Sequence, residues 1–494
     1  MSYPCRWFHS LSVDVLPMSI VPQLNNAANR IIYFLQNCTS PNQLFQIQTQ
    51  IITRNLQYNS TIAHHFVSTC QSFNLLDSAL NLFIQSHKPH VFVFNILIRA
   101  FSHSHSPHKS IFLYTHMHRN SVSPNNYTFP FLLKSISDLK DIRLGKSTHA
   151  QIVNLGLFND IYVQNSILNM YASCGHMVLC RKVFDEMSYR DVVSWTVLIN
   201  GNRIAGRLDD ALVSFEQMQY AGVVPNHVTM VNALAACAKF GALEMGIWIH
   251  DFIKRSGWDL DVVLGTSLVE MYGKCGKIQE GLPVFQSMKE KNVLTWNSLI
   301  KGLALAKSGE EAVWWFERMQ QEAVKADEVT LLGVLSACAY SGLIPIGRKI
   351  FSALINGKYG FPPNAKHYAC MIDLLARCGC LEEAFNYIKM MPFEPTESMW
   401  GALLAGSRDH ANLHLSELAA WKLVELAPEN SGYYVLLSNL YAETGRWGEV
   451  ARVRNLMKER GLKKDLGWSS IEFDSENTVN EILPQNLQHY VDGD

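Results

Sequence analysis

A block of this chain recurs at a constant interval of 101 residues, and no other feature narrows the possible folds as far. Met117, Met218 and Met319 stand 101 apart, as do Phe94, Trp195 and Trp296, and Cys237 pairs with Cys338 at the same offset. Val192-Val-Ser-Trp-Thr-Val-Leu-Ile199 is matched by Val293-Leu-Thr-Trp-Asn-Ser-Leu-Ile300. Asn169-Met-Tyr-Ala-Ser-Cys-Gly175 is likewise matched by Glu270-Met-Tyr-Gly-Lys-Cys-Gly276. Self-similarity at a fixed step means stacked supersecondary pieces, each burying its apolar face only against its neighbours. Such an array presents one long surface, so function belongs to positions that vary within the repeat.

The block divides into repeats of 35, 35 and 31 residues. The best-defined copies are 91–125, 126–160, 161–191, 192–226, 227–261, 262–292 and 293–327. Repeats 328–364 and 365–396 follow, and the degenerate 25–59 and 60–90 precede. Apolar spacing of three and four, rather than two, predicts helices. In 192–226, Trp195, Leu198 and Ile199 form one stripe, Gly206 marks a break, and Leu208, Ala211, Leu212, Phe215 and Met218 form a second. Pro124 and Pro225 fall at repeat ends, where a helix cannot continue. Each repeat therefore reads as two helices joined by a turn, and the fold class is an all-α solenoid.

Hydrophobic content of 48% is ample for a continuous core. Lys and Arg number 42 against 43 Asp and Glu, which argues against non-specific polyanion binding and leaves room for a ligand read by individual contacts. Eleven cysteines in a chain of 494 residues do not make a disulfide scaffold. Five of them, Cys174, Cys275, Cys378, Cys237 and Cys338, recur at equivalent sites and read as small residues packed between helices. No apolar run approaches the length needed to span a bilayer. Residues 1–24 are poor in acids and contain four serines and Arg6, which suits either an organelle transit peptide or a disordered leader.

The 35-residue step, with VVSWTVLINGNRIAGRLDDALVSFEQMQYAGVVPN at 192–226, resembles a pentatricopeptide repeat. The rhythm of 35, 35 and 31 resembles the plant PLS subfamily, in which P-, L- and S-type repeats alternate. L-type wording stands at Ala233-Leu-Ala-Ala-Cys-Ala-Lys-Phe-Gly-Ala-Leu-Glu-Met-Gly246, and S-type wording at Met170-Tyr-Ala-Ser-Cys-Gly175 and Val183-Phe-Asp-Glu-Met187. The resemblance spans roughly residues 25–472. A tetratricopeptide array, with its 34-residue step and no three-repeat rhythm, fits less well.

The resemblance implies a right-handed superhelix that reads single-stranded RNA one base per repeat, through two or three side chains. Those are the fifth and last residues of a repeat, aided by the second. The matching pairs are Asn95/Asn125, Asn165/Asp191, Thr196/Asn226, Thr266/Asn292 and Asn297/Asp327. Uracil and guanine offer an imino N–H that an Asp carboxylate accepts, whereas cytosine and adenine offer a ring nitrogen to which an Asn amide donates. In the family, Thr at the fifth place goes with purines and Asn with pyrimidines. The second residues Phe92, Tyr162, Val193, Val263 and Leu294 are suited to sandwich bases. Taken singly, each Asn or Thr also reads as a helix cap. The implied ligand runs, 5′ to 3′, C or U, an unread base, U, A, an unread base, A, U. The L-type repeats, with Pro130/Asp160, Val231/Asp261 and Leu332/Asn364, fall outside the readable set, as do His64/His90 and Ala369/Thr396.

Residues 397–465 resemble the paired E motifs that follow such arrays, with Met399-Trp-Gly-Ala-Leu-Leu404 and Tyr434-Val-Leu-Leu-Ser-Asn-Leu-Tyr441. The basic run Arg446, Arg452, Arg454, Lys458, Arg460, Lys463 and Lys464 reads as a solvated helix face or as a contact for RNA backbone or a partner. Residues 466–494 form a shortened tail in which Leu466-Gly-Trp-Ser-Ser-Ile-Glu472 departs from the family wording. A DYW deaminase needs H-x-E and C-x-x-C elements for zinc, and the chain has neither; Cys378-Gly-Cys380 is one residue too tight. No phosphate-binding loop, nucleophile elbow or dinucleotide fingerprint is present. The expectation is a non-catalytic E-subclass editing factor without cofactor, metal or membrane anchor. It would bind organellar RNA, in the mitochondrion or alternatively the plastid, and recruit a DYW-type cytidine deaminase in trans. Alternatives are an organellar splicing, stability or translation factor, and a protein-binding scaffold of the tetratricopeptide kind.

Overall fold

Every described repeat resolves into a pair of antiparallel helices. The computed structural model describes residues 27–84 and 90–462, and among these there are 26 helices and no strand. The leader (1–24), the tail (466–494) and Lys463 and Lys464 lie outside the described residues. The chain divides into two compact bodies, residues 1–302 and 303–494. Within each body, first helices pack on first helices of neighbouring repeats while each second helix covers its own partner. In the first body, Ile161–Ser173 lies against both Phe129–Leu139 and Val192–Ile204. In the second, Ala365–Arg377 lies against Glu328–Ser341 and Glu397–Asp409. This is an all-α solenoid.

Repeat 192–226 shows why the sequence folds this way. Helix Val192–Ile204 starts where Asp191 accepts a hydrogen bond from the Ser194 amide, and it buries Trp195, Leu198 and Ile199. It ends at Gly206, whose φ of 75° lies in the left-handed region that a side chain resists. Helix Leu208–Tyr220 then buries Ala211, Leu212, Phe215 and Met218, with Leu208 half-buried. Burial of a side chain such as Phe215 contributes about 2–3 kcal/mol. The aromatic contacts repeat with the sequence. Phe184 meets Trp195 edge-on at 4.7 Å, and Phe285 meets Trp296 the same way at 4.9 Å. Of the periodic cysteines, Cys237 and Cys338 are wholly buried, and burial pushes both thiols up to about 12. Cys174, Cys275 and Cys378 differ: they are half-buried helix C-caps, placed one residue before the glycine that turns the chain.

Three equivalent positions after second helices take positive φ: Ser121 at 55°, Gly222 at 70° and Ala323 at 57°. A Cβ there is strained against the following carbonyl by about 1 kcal/mol, which glycine avoids. Ala323→Gly is therefore expected to stabilise the protein by about 0.5–1 kcal/mol. An upward shift of the urea midpoint would show it; an unchanged or lower midpoint would contradict it.

Candidate nucleic-acid interface

The first helices of stacked repeats begin side by side, so the last residue of one repeat sits beside the fifth residue of the same repeat. The reason is local. The last residue caps the start of the next helix, while the fifth residue lies one turn into its own helix. Asp191, Asn226 and Asp327 do so as N-caps, and Asn292 by accepting from the Thr295 amide. Asn125 accepts from the Tyr127 amide in the turn that leads into the helix. Asn95 Nδ2 donates to Asn125 Oδ1 at 3.0 Å, and Asn165 Nδ2 donates to Asp191 Oδ1 at 3.1 Å. For Thr196/Asn226 and Thr266/Asn292 the link runs instead through an intervening hydroxyl. Asn297 is buried on helix Val293–Leu305, and Asp327 caps helix Glu328–Ser341.

That hydroxyl is a site component the sequence reading did not include. Three residues past each last residue stands Thr128, Ser194, Thr229, Thr295 or Thr330, and all five are fully buried. Ser194 Oγ lies 2.7 Å from Asn165 Oδ1 and 2.8 Å from Asp191 Oδ1. Thr128 Oγ1 donates to Asn95 Oδ1 at 2.7 Å. Thr196 Oγ1 stands 2.6 Å from Thr229 Oγ1, and Thr266 Oγ1 stands 2.7 Å from Thr295 Oγ1. The same hydroxyls close the capping boxes: Thr229 Oγ1 and its amide N both donate to Asn226 Oδ1 at 2.9 Å. Asn292 Oδ1 is engaged likewise by Thr295, at 3.0 and 3.1 Å. The signal was legible as [Asn/Asp]-x-x-[Ser/Thr] at the end of every P- and S-type repeat from 91 to 327.

The cap fixes the polarity that each last residue turns outward. With Oδ1 of Asn226 and Asn292 engaged inward, the amide nitrogen is left to face out and the residue acts as a donor. Asp191 presents an acceptor. Burial pushes its carboxyl upward, but hydrogen bonds from the Ser194 amide and hydroxyl, Asn165 and the Val193 amide outweigh that and hold it below the ordinary carboxylate value.

Beside these polar groups runs a line of exposed apolar side chains. Phe92, Tyr162, Val193, Val263 and Leu294 are between 42% and 75% exposed, in helices whose other apolar residues are largely buried. The second residues of the L-type repeats are exposed too: Tyr127 and Val228 extend the line within the first body and Val329 is exposed in the second, whereas sequence reasoning had confined such residues to the P- and S-type repeats. Such faces suit stacking against bases.

Most of the described part of the C-terminal basic run has internal partners. Arg446 pairs with Glu417 at 2.7 Å and lies over the Tyr441 ring; Arg452 pairs with Glu449; Arg454 donates to Ser438; Arg460 donates to the Tyr434 hydroxyl. Among the described residues there is no cluster of three or more His, Cys, Asp or Glu side chains suited to a metal, and no helix is long and apolar enough to cross a membrane.

Known proteins place the chain. The PPR repeat pattern matches residues 165–192, 193–223, 266–293, 294–324 and 367–394, and the E motif pattern matches 410–472. Pentatricopeptide repeat-containing protein At1g31920 of Arabidopsis thaliana is 36% identical over 477 residues, covering 95% of this chain and 78% of its own. At5g56310 from the same plant is 36% identical, covering 90% of each chain. At2g22410, named as mitochondrial, is 37% identical over 84% of this chain and 65% of its own. The crystal structure of the pentatricopeptide repeat protein PPR10 in complex with an 18-nucleotide psaJ RNA element aligns with a TM-score of 0.69 at 17% identity. That alignment covers 86% of this chain and 65% of PPR10. The array and the E motif together define a repeat protein of the PLS type, E subclass. The chain belongs to the pentatricopeptide repeat family.

Proposed function

We propose that this protein binds one stretch of single-stranded RNA, reading it a base at a time, and marks a cytidine for C-to-U editing by a deaminase supplied in trans. The observation that carries the reading is the recurring trio of fifth residue, last residue and buried hydroxyl. It recurs in register at the P- and S-type repeat ends and fixes a donor or an acceptor at each last residue. Nothing in a purely structural solenoid requires the last residues to run Asn, Asp, Asn, Asn, Asp. The apolar line of second residues supports base stacking, and PPR10 was crystallised with an RNA strand. The E motif supports the editing role. The chain itself contributes address and orientation, not catalysis, and the mitochondrion is the proposed compartment, with the plastid second.

The ligand follows as C or U, any base, U, A, any base, A, U. Purified protein should bind an oligonucleotide of this pattern more tightly than one with A and U exchanged. The double variant Asn297→Thr, Asp327→Asn should change its preference at the last position from U to A by about tenfold, the value of one to two net hydrogen bonds. Unchanged preference in that variant would remove the base-reading interpretation. Sequencing of organellar RNA from a line lacking the protein tests the editing role: one cytidine should remain unconverted. Normal editing with retained introns or lost transcript ends would replace that role.

A further inference from the structure

The L-type repeats end as their neighbours do, in Asp160, Asp261 and Asn364, each a helix N-cap. Their outward atoms, however, are already engaged. Asn126 Nδ2 donates to Asp160 Oδ2 at 3.0 Å. His227 Nε2 stands 3.0 Å from Asp261 Oδ2, in contact but without the alignment of a hydrogen bond. Asn364 Nδ2 donates to Glu328 Oε2 at 2.9 Å. In all three cases the partner is the first residue of the same repeat. First residues elsewhere from 91 to 293 are apolar: Val91, Ile161, Val192, Val262 and Val293.

The chemistry of the partner follows the chemistry of the residue it meets. Where the last residue is a carboxylate, the first sets a side-chain nitrogen against it, Asn126 through a hydrogen bond and His227 through close contact; where the last is an amide, the first is an acceptor, Glu328. The hydroxyl that couples last and fifth residues in the other repeats is absent here: Val163, Leu264 and His367 occupy its place. These three repeats thus keep the exposed apolar second residue for stacking but have their edge-reading group covered.

We infer that the first residue of each L-type repeat masks its last residue, so that these repeats hold a base without selecting it. This deepens the proposed RNA reading and rests on it. The mask is a single side chain, so removing it should create a reader. Asp261 is the suitable case, because a carboxylate presents the same acceptor from either oxygen and needs no hydroxyl to orient it. His227→Val restores the residue type that begins the adjoining repeats, and so suits the helix start.

The test uses the full-length protein and oligonucleotides of the proposed pattern, varied over all four bases opposite repeat 227–261, with the adenine opposite 192–226 varied as a control. Wild type should bind the four bases at the first position within about twofold. H227V should favour U and G over A and C by about fivefold, the equivalent of one net hydrogen bond to an imino N–H. H227N, which sets a side-chain nitrogen against Asp261 as Asn126 does against Asp160, should remain indifferent. The variant N126V should open the base opposite 126–160 in the same way. Indifference in H227V and N126V, with discrimination intact at the control adenine, overturns the masking, as does equal discrimination in H227N. Loss of discrimination at the control adenine in wild type instead overturns the base reading itself.

Discussion

Ser194→Ala is expected to lower stability by about 2 kcal/mol and to reduce the preference for U opposite repeat 161–191 by about tenfold. The Ser194 hydroxyl is wholly buried, and one small group serves two polar neighbours. It lies 2.7 Å from Asn165 Oδ1 and 2.8 Å from Asp191 Oδ1. Alanine removes it without adding volume. The Asn165 amide is itself only 9% exposed, so its oxygen would be left buried without a donor. The Asn165 amide nitrogen would still donate to Asp191, so the pair keeps its polarity but loses the hydroxyl that holds both side chains in place, and its selectivity weakens. The effect has a pH signature. Asp191 is held below the ordinary carboxylate value despite its burial, partly by this hydroxyl, so the ionised group stabilises the fold above that range. That stability is lost as pH falls through the depressed folded value. The gap between wild type and variant should therefore be full at neutral pH and shrink on acidification below the carboxylate range. Urea titrations at several pH values measure the first effect, and binding to U- and A-containing oligonucleotides measures the second. A variant as stable and as selective as wild type would mean that the hydroxyl is only a cap.

That trio also shows what the sequence could and could not say. Periodicity found the helices because a hairpin in a solenoid buries a stripe set by its own sequence, and Trp195, Leu198, Ile199, Phe215 and Met218 are buried. The positions of the candidate residues followed from repeat register alone. Their mutual geometry did not, because contacts such as Asn165 to Ser194 join residues 29 apart in different repeats. In the sequence, capping and base reading looked like competing explanations for Asn226. In the structure one atom of the same side chain caps while the other is left to face outward. The masking of Asp160, Asp261 and Asn364 was hidden for the same reason: the first and last residues of a repeat are distant in sequence and adjacent only once the helix starts align.

The closeness of those helix starts depends on how near the first helices can approach, and three glycines set that distance. Gly201, Gly302 and Gly406 each stand tenth in their helix and face the twelfth residue of the preceding first helix, which is Ala172, Gly273 or Ala376. A Cβ at Gly201 would lie 2.9 Å from Met177 Sδ, whose flexible thioether can move aside, but also 2.9 Å from Ala172 Cβ, which is fixed to the backbone. At Gly302 it would lie 3.0 Å from the Gly273 Cα, which is backbone, and 2.6 Å from Ile278 Cδ1. At Gly406 it would lie 2.4 Å from the Ala376 carbonyl oxygen and 2.5 Å from its carbon, so the two helices must separate. In an unobstructed helix, glycine to alanine is worth up to about 1 kcal/mol of stabilisation. Overpacking against backbone costs about 1–3 kcal/mol or more and reverses the sign. The expected order is therefore a clear loss for Gly201→Ala and Gly302→Ala and the largest loss, about 3 kcal/mol, for Gly406→Ala. Because a repeat array unfolds in segments, the loss should appear as reduced amide protection concentrated in helices Ala365–Arg377 and Glu397–Asp409 as well as in a lower urea midpoint. A Gly406→Ala protein as stable as wild type would show that the helices there have room to part, and that the close packing of first helices does not set the spacing of the readers.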